Sequence, residues 1–229
     1  MNALTDNELR ITEYHLTFIC RLLSKLEQWI FSHDDFRHYR TRWNGIYGWL
    51  TEKQAKWLFE MASTAQSGVI VEIGSCYGRS TVCLGLGASL VNSNNKVYSI
   101  DPHTGGKGFR EKLEDKDSYS SLEGFKNNLK RFLLNEKVVP IIKTSADALS
   151  EWHGHKISLL FIDGWHTYDA VKHDILGWSK HVVSEGIVAM HDYQDKQVRR
   201  AIHDSIVLTG MSETALEHIG DGMVFFRLP

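Results

Sequence analysis

Cysteine is scarce in this 229-residue sequence: Cys20, Cys76 and Cys83 are odd in number and show no CxxC spacing. That excludes a disulfide framework and a structural thiolate zinc site, and it suits a reducing compartment. No apolar run approaches membrane-spanning length, and residues 1–10 hold no basic region followed by an apolar stretch. A cytoplasmic protein without a membrane partner is the expectation. Charge of one sign is not in excess either, since 26 Lys and Arg against 28 Asp and Glu leave a formal net charge of −2. Without a basic face, nucleic acid is not an expected partner and a small molecule is. Internal repeats and low-complexity segments are also absent, so a chain of this length reads as one domain with an accessory segment.

The accessory segment opens the chain. Thr5 and Glu8 have capping-box spacing, and Leu16, Ile19, Leu22, Leu23, Leu26, Trp29 and Ile30 recur at helical intervals. A long amphipathic helix is expected there. Its apolar stripe needs a cover, either the body of the domain or a second copy in a homodimer. An aromatic-rich joint over residues 38–48 reads as an ordered loop, after which Thr51 and Gln54 repeat the capping-box spacing ahead of a helix with Trp57, Leu58 and Met61 on one side. The expected division is an N-terminal helical extension with its joint over 1–50 and a main domain over 51–229.

From residue 68 the pattern changes to short apolar runs at 69–73, 97–100, 138–142, 159–162 and 187–190, with helical stretches near 79–90, 121–135, 167–181 and 196–208. A last run at 223–228 has no helix between it and the chain end. Alternating strand and helix predicts an α/β fold: a parallel sheet with helices on both faces and ligands at the carboxyl ends of the strands. The residues that follow each strand therefore carry the functional reading.

The first strand runs through Glu72 into Gly74-Ser75-Cys76-Tyr77-Gly78 and straight into a helix. Gly74 and Gly78 allow a tight turn and close approach of backbone to a ligand. Their G-x-x-x-G spacing and the preceding carboxylate differ from the G-x-G-x-x-G fingerprint that seats a pyrophosphate, which disfavours a nicotinamide-dependent oxidoreductase. A carboxylate there suits a cationic ligand. The second strand ends at Asp101, placed to accept hydrogen bonds from both hydroxyls of a ribose. The fourth delivers Asp163 and His166, and the fifth His191 and Asp192. Carboxylates and imidazoles arriving on adjacent strands can converge on one divalent cation: oxygen donors suit Mg²⁺ or Mn²⁺, and an added imidazole moves the choice toward Mn²⁺, Fe²⁺ or Zn²⁺. The alternative is that these residues only cap helices and turns.

Taken together, Val71-Glu72-Ile73-Gly74-Ser75 with Gly78-Arg79-Ser80-Thr81, Ser99-Ile100-Asp101-Pro102, Phe161-Ile162-Asp163-Gly164-x-His166-x-Tyr168 and Gly186-Ile187-Val188-Ala189-x-His191-Asp192-Tyr193 resemble class I S-adenosylmethionine (SAM)-dependent methyltransferases. The branch is similar to macrocin-type sugar O-methyltransferases and cephalosporin-hydroxylase-like proteins, over about residues 45–229. The resemblance implies a Rossmann-like, doubly wound, mostly parallel seven-stranded sheet with the helical extension in front. It implies that Glu72, Gly74, Ser75 and Gly78 line the methionine end of SAM, that Asp101 holds the ribose, that Ser145 and Ala146 lie along the adenine, and that Asp163 borders the cofactor. In metal-dependent members the cation ligands fall on Asp163, His191 and Asp192. Two positions depart from the branch: Trp165 stands where several sugar methyltransferases carry an acidic residue proposed as the base, and His191 is the first member of the second ligand pair.

The activity these features imply is methyl transfer to a hydroxyl of a small molecule, with SAM as donor and Mg²⁺ or Mn²⁺ as a possible aid. A protein of the same fold that binds SAM without transferring methyl is the alternative. With Trp165 in place of an acid, His166 is the candidate base, with Asp163 and His191 beside it, or else His166 only starts a helix. Residues 103–119 read either as a lid over the acceptor or as a surface insertion. Trp43, Tyr47 and Trp49 read either as an acceptor wall or as core.

Overall fold

The structure, a computed structural model, describes residues 36–65, 68–91, 95–105, 119–220 and 222–229. The chain divides into two compact units, Met1–His38 and Tyr39–Pro229. The expected opening helix over 16–30, its dimer face and most of the 103–119 stretch lie outside the described residues. Among the described residues, no helix is long and apolar enough to cross a membrane.

The second unit is built on seven strands: β1 (Val69–Ile73), β2 (Val97–Ile100), β3 (Val138–Ile141), β4 (Ile157–Ile162), β5 (Val182–Met190), β6 (Glu217–His218) and β7 (Val224–Arg227). Their order in the sheet is β3-β2-β1-β4-β5-β7-β6. The first five pair in parallel, and β7 runs antiparallel to β5 and to β6. The central strands are almost wholly buried because helices cover both faces, which is why they read as unbroken apolar runs. Winding outward in opposite directions from β1 and β4 opens a crevice between those two strands at their carboxyl ends.

The helices are α1 (Arg37–Asn44), α2 (Glu52–Thr64), α3 (Arg79–Leu90), α4 (Leu122–Arg131), α5 (Ser145–Ser150), α6 (Tyr168–Trp178) and α7 (Lys196–Leu208). The joint expected to be a loop is helical through Asn44. The Trp43 indole N–H donates to the Arg79 carbonyl at 2.8 Å and the Arg79 guanidinium lies 3.7 Å over the ring, so a tertiary contact organises what the local pattern does not. Trp43 is fully buried and belongs to the core, not to an acceptor wall, whereas Tyr47 and Trp49 are exposed. Helix α2 starts at the expected capping box, with Thr51 and Gln54 bonding reciprocally. Its buried face is Gln54, Ala55, Leu58, Phe59 and Ala62, which shares Leu58 with the expected stripe and leaves Trp57 and Met61 half-buried at its edge.

Candidate active site

Four consecutive parallel strands, β2, β1, β4 and β5, end at the same edge of the sheet, and the segments that follow them carry the sequence-derived candidates other than Glu72, which lies within β1, and Ser145 and Ala146, which follow β3. Among the described residues, three of the five non-glycine residues with positive φ lie in these loops: Cys76, His103 and Asp192. Strained backbone of this kind persists only where the surroundings over-determine it, and it concentrates at functional sites.

The loop after β1 is shaped by two glycines in the left-handed region, Gly74 at φ 86° and Gly78 at φ 83°. A Cβ on Gly74 would fall 2.0 Å from the carbonyl oxygen of Asp163. Only glycine lets the β1 and β4 loops touch. Asp101 holds the same turn from the other side, its Oδ2 accepting the backbone N–H groups of Ser75 and Cys76, each at 2.8 Å, and its Oδ1 that of His103 at 2.6 Å. The residue expected to hold a ribose thus also anchors the glycine loop. The Cys76 thiol, pushed up to about 11 by burial and by Asp101, is neutral near pH 7 and offers no nucleophile.

Glu72 is fully buried beneath this loop. Register places it opposite Ser99 of β2 and Phe161 of β4. Its carboxylate accepts the hydroxyls of Ser80 and Thr81, both at 2.5 Å, and of Ser99 at 2.9 Å, tying β1, β2 and the start of α3 together. Ser75 joins through a 2.6 Å contact with Ser99. Burial pushes the Glu72 carboxyl up to about 7, and the hydroxyl donors offset only part of that cost. Of the other cofactor candidates, Ser145 begins α5, where its hydroxyl donates to Asp174 and accepts the Trp178 indole N–H at 2.9 Å, while Ala146 is exposed. The side chain of Ser145 thus joins α5 to α6.

Across the Gly74 contact, β4 and β5 bring Asp163, His166, His191 and Asp192 together. The Asp163 N–H donates to Ile73 and the His191 N–H to Ile162, so each loop is pinned to the neighbouring strand. Asp192 Oδ2 lies 2.9 Å from His166 Nε2 and 3.1 Å from His191 Nδ1, and His191 Nδ1 is 3.4 Å from Asp163 Oδ1. Burial opposes ionisation of Asp192, but its two histidine partners outweigh that and hold the carboxyl well below the usual carboxylate range. Burial likewise opposes the imidazolium of His191, yet Asp163 and Asp192 push it up to about 10. Asp163 itself is raised by burial, and His166 is raised mainly by its hydrogen bond to Asp192.

One ligand atom each from Asp163, His191 and Asp192 lie within 4.8 Å of one another. His191 Nδ1 is buried and close to both carboxylates, but aligned as a hydrogen bond with neither. As an imidazolium His191 is held between these two carboxylates as an ion pair, and with its Nδ1 proton displaced the same three ligand atoms could hold a divalent cation. Sequence reasoning missed three contributors: the hydroxyl set of Ser80, Thr81 and Ser99; Arg79, which bonds the carbonyls of Ile46 and Leu50 and so carries the joint against the loop; and Gln54, 3.3 Å from His191 Nε2. Gln54 alone had a legible signal, an amide in line with Leu58 and Ala62 on a buried helix face.

Known proteins share this architecture. The O-methyltransferase NovP superposes with a TM-score of 0.64 at 17% identity, covering 77% of this chain and 79% of that one. An O-methyltransferase from Bacillus cereus, in complex with SAH, gives 0.59 at 13% identity over 89% and 97%. TomG from Streptomyces achromogenes, an O-methyltransferase in complex with SAM, gives 0.57 at 14% identity over 79% and 82%. At these identities the likeness shows the fold. An uncharacterized protein of Acanthamoeba polyphaga mimivirus is 31% identical over 129 residues, 55% of this chain and 51% of that protein, so the chain spans about half the length of this curated relative. The profile of the methyltransferase domain matches residues 71–193, from the middle of β1 to the residue after Asp192. That is more than half of the chain, and the protein belongs to the methyltransferase-domain family, with the class I SAM-dependent methyltransferase fold.

Proposed function

We propose that the protein is a SAM-dependent O-methyltransferase acting on a hydroxyl of a small molecule, a sugar or natural product, with help from a divalent cation. The observation that carries this reading is the contact of Gly74 with Asp163, which sets the loop proposed for the cofactor directly against the cluster of two carboxylates and two imidazoles. A methyl donor on one side and a hydroxyl-activating group on the other need that proximity. O-methyltransferases among the structural neighbours support the choice of acceptor atom.

The residues divide the work by their hydrogen-bonding capacities. A carboxylate only accepts, so the Asp192 contact places the proton of His166 on Nε2 and leaves Nδ1 as the basic nitrogen. His166 is half-exposed and would receive the hydroxyl proton there as the acceptor oxygen takes the methyl and the sulfonium becomes a neutral thioether. Asp192 stabilises the imidazolium that forms, as an orienting carboxylate does for a catalytic histidine. A bound Mg²⁺ or Mn²⁺, held by Asp163, His191 and Asp192, would lower the pKa of the acceptor hydroxyl as a Lewis acid.

Single-turnover transfer from radiolabelled SAM to a panel of hydroxylated metabolites tests the proposal. Chelation and Asp192→Ala should each slow transfer by roughly a hundredfold or more while SAM affinity holds. Added Mg²⁺ or Mn²⁺ should restore the chelated protein and not the variant. Full activity in metal-stripped buffer would remove the cation, and a protein that binds SAM but methylates no hydroxyl would favour a binding role.

A further inference from the structure

We infer that Gln54 is a positioning residue for the cation site: when a cation takes the place of the Nδ1 proton of His191, the Gln54 amide oxygen keeps the remaining proton on Nε2 and so holds the Nδ1 lone pair toward Asp163 and Asp192. The inference rests on the cation reading above. Its geometry begins at the start of α2. The Thr51 backbone N–H can only donate, and it bonds the side-chain oxygen of Gln54 at 2.8 Å. That bond fixes the orientation of the amide. The same oxygen lies 3.3 Å from His191 Nε2, and an oxygen without a proton can make that contact only if Nε2 is the N–H. Nδ1 is then left as the ligand atom, buried and facing two carboxylates.

Gln54 is only 1% exposed, so water does not compete for this oxygen. Helix capping alone does not require such burial. Histidine ligands commonly depend on such a partner at their other ring nitrogen, whose loss costs roughly 10- to 100-fold in metal affinity.

The experiment is a Mn²⁺ titration of the full-length protein, followed by the electron paramagnetic resonance signal of free Mn²⁺, with long-range ¹H–¹⁵N correlation spectra of the Mg²⁺-loaded unmodified protein. Gln54→Leu should weaken Mn²⁺ by roughly 10- to 100-fold. Gln54→Glu, which keeps the acceptor, should restore binding. Thr51→Ala, which removes the hydroxyl cap and leaves the backbone donor, should bind like the unmodified chain. In the spectra His191 should carry its proton on Nε2, a readout that stands even if Gln54→Leu fails to fold. Unchanged affinity in Gln54→Leu, an equal loss in Thr51→Ala, or a proton on Nδ1 would overturn the role of Gln54 and leave the cation reading intact. No Mn²⁺ binding by the unmodified protein would instead remove the cation reading, and this inference with it.

Discussion

Replacing Glu72 by glutamine should change how stability depends on pH. In the folded chain its carboxyl is pushed from an ordinary 4.5 up to about 7 by burial. Between those values the native state holds a proton that the unfolded state has lost, so unfolding free energy falls as pH rises through this window. The contribution is fully present below about pH 4.5 and gone above about 7. At about 1.4 kcal/mol per pH unit, the interval corresponds to about 3 kcal/mol. Glutamine has no such proton. Its oxygen can accept from Ser80 while its amide donates to Thr81 and Ser99, whose hydroxyls turn round, so the network survives. Urea unfolding of both proteins from pH 4.5 to 8 is the assay: the variant should gain about 3 kcal/mol relative to Glu72 across the range. A difference that stays constant with pH would show that the three hydroxyls keep Glu72 ionised throughout, and the burial argument would fail.

Four further substitutions probe the strand-end loops. Asp101→Ala removes the acceptor of three backbone N–H groups as well as the proposed ribose partner, so SAM affinity measured by calorimetry should fall at least roughly tenfold; unchanged affinity in a folded variant would remove Asp101 from the cofactor site. Gly74→Ala would drive a Cβ to 2.0 Å from the Asp163 carbonyl at φ 86° and should cost on the order of 3 kcal/mol or more by thermal unfolding. Gly78→Ala meets side chains rather than backbone, the Phe125 ring at 3.0 Å and the Thr81 hydroxyl at 3.7 Å, and should cost about 1–2 kcal/mol; equal losses at the two glycines would refute the close approach of the β1 and β4 loops. His166→Ala should slow methyl transfer by roughly 10²- to 10⁴-fold with SAM affinity unchanged, and a smaller loss would assign the proton to another acceptor.

The parallel core was legible because strands covered on both faces are short apolar runs, and the strand ends then pointed to loops that the fold gathers at one edge of the sheet. Other elements gave no such signal. The start of β5 is masked by Ser184-Glu185-Gly186, where Glu185 sits at φ 61°, and the two-residue β6 is exposed. Helix α1 depends on Trp43 packing under Arg79, a contact between distant residues. In the site, Asp163, His191 and Asp192 were picked out because they lie in the first two positions after β4 and β5 and because the family resemblance places cation ligands there. The aim of Glu72 was not, since it depends on the register with Ser99 and on the turn into α3. Gln54 was read as a cap, and its second contact comes from α2 lying beside the β5 loop.

The central claim is that SAM binds with its methyl group beside the Asp163, His191 and Asp192 cluster, and it can be tested without knowing the acceptor. SAM carrying a ¹³C-labelled methyl is bound to the protein, and its resonances are followed as Mn²⁺ is added. The account predicts selective broadening of the methyl signal, much stronger than that of the adenine protons, and loss of the effect in Asp192→Ala. Mn²⁺ that binds the protein but broadens the methyl no more than the adenine would contradict it.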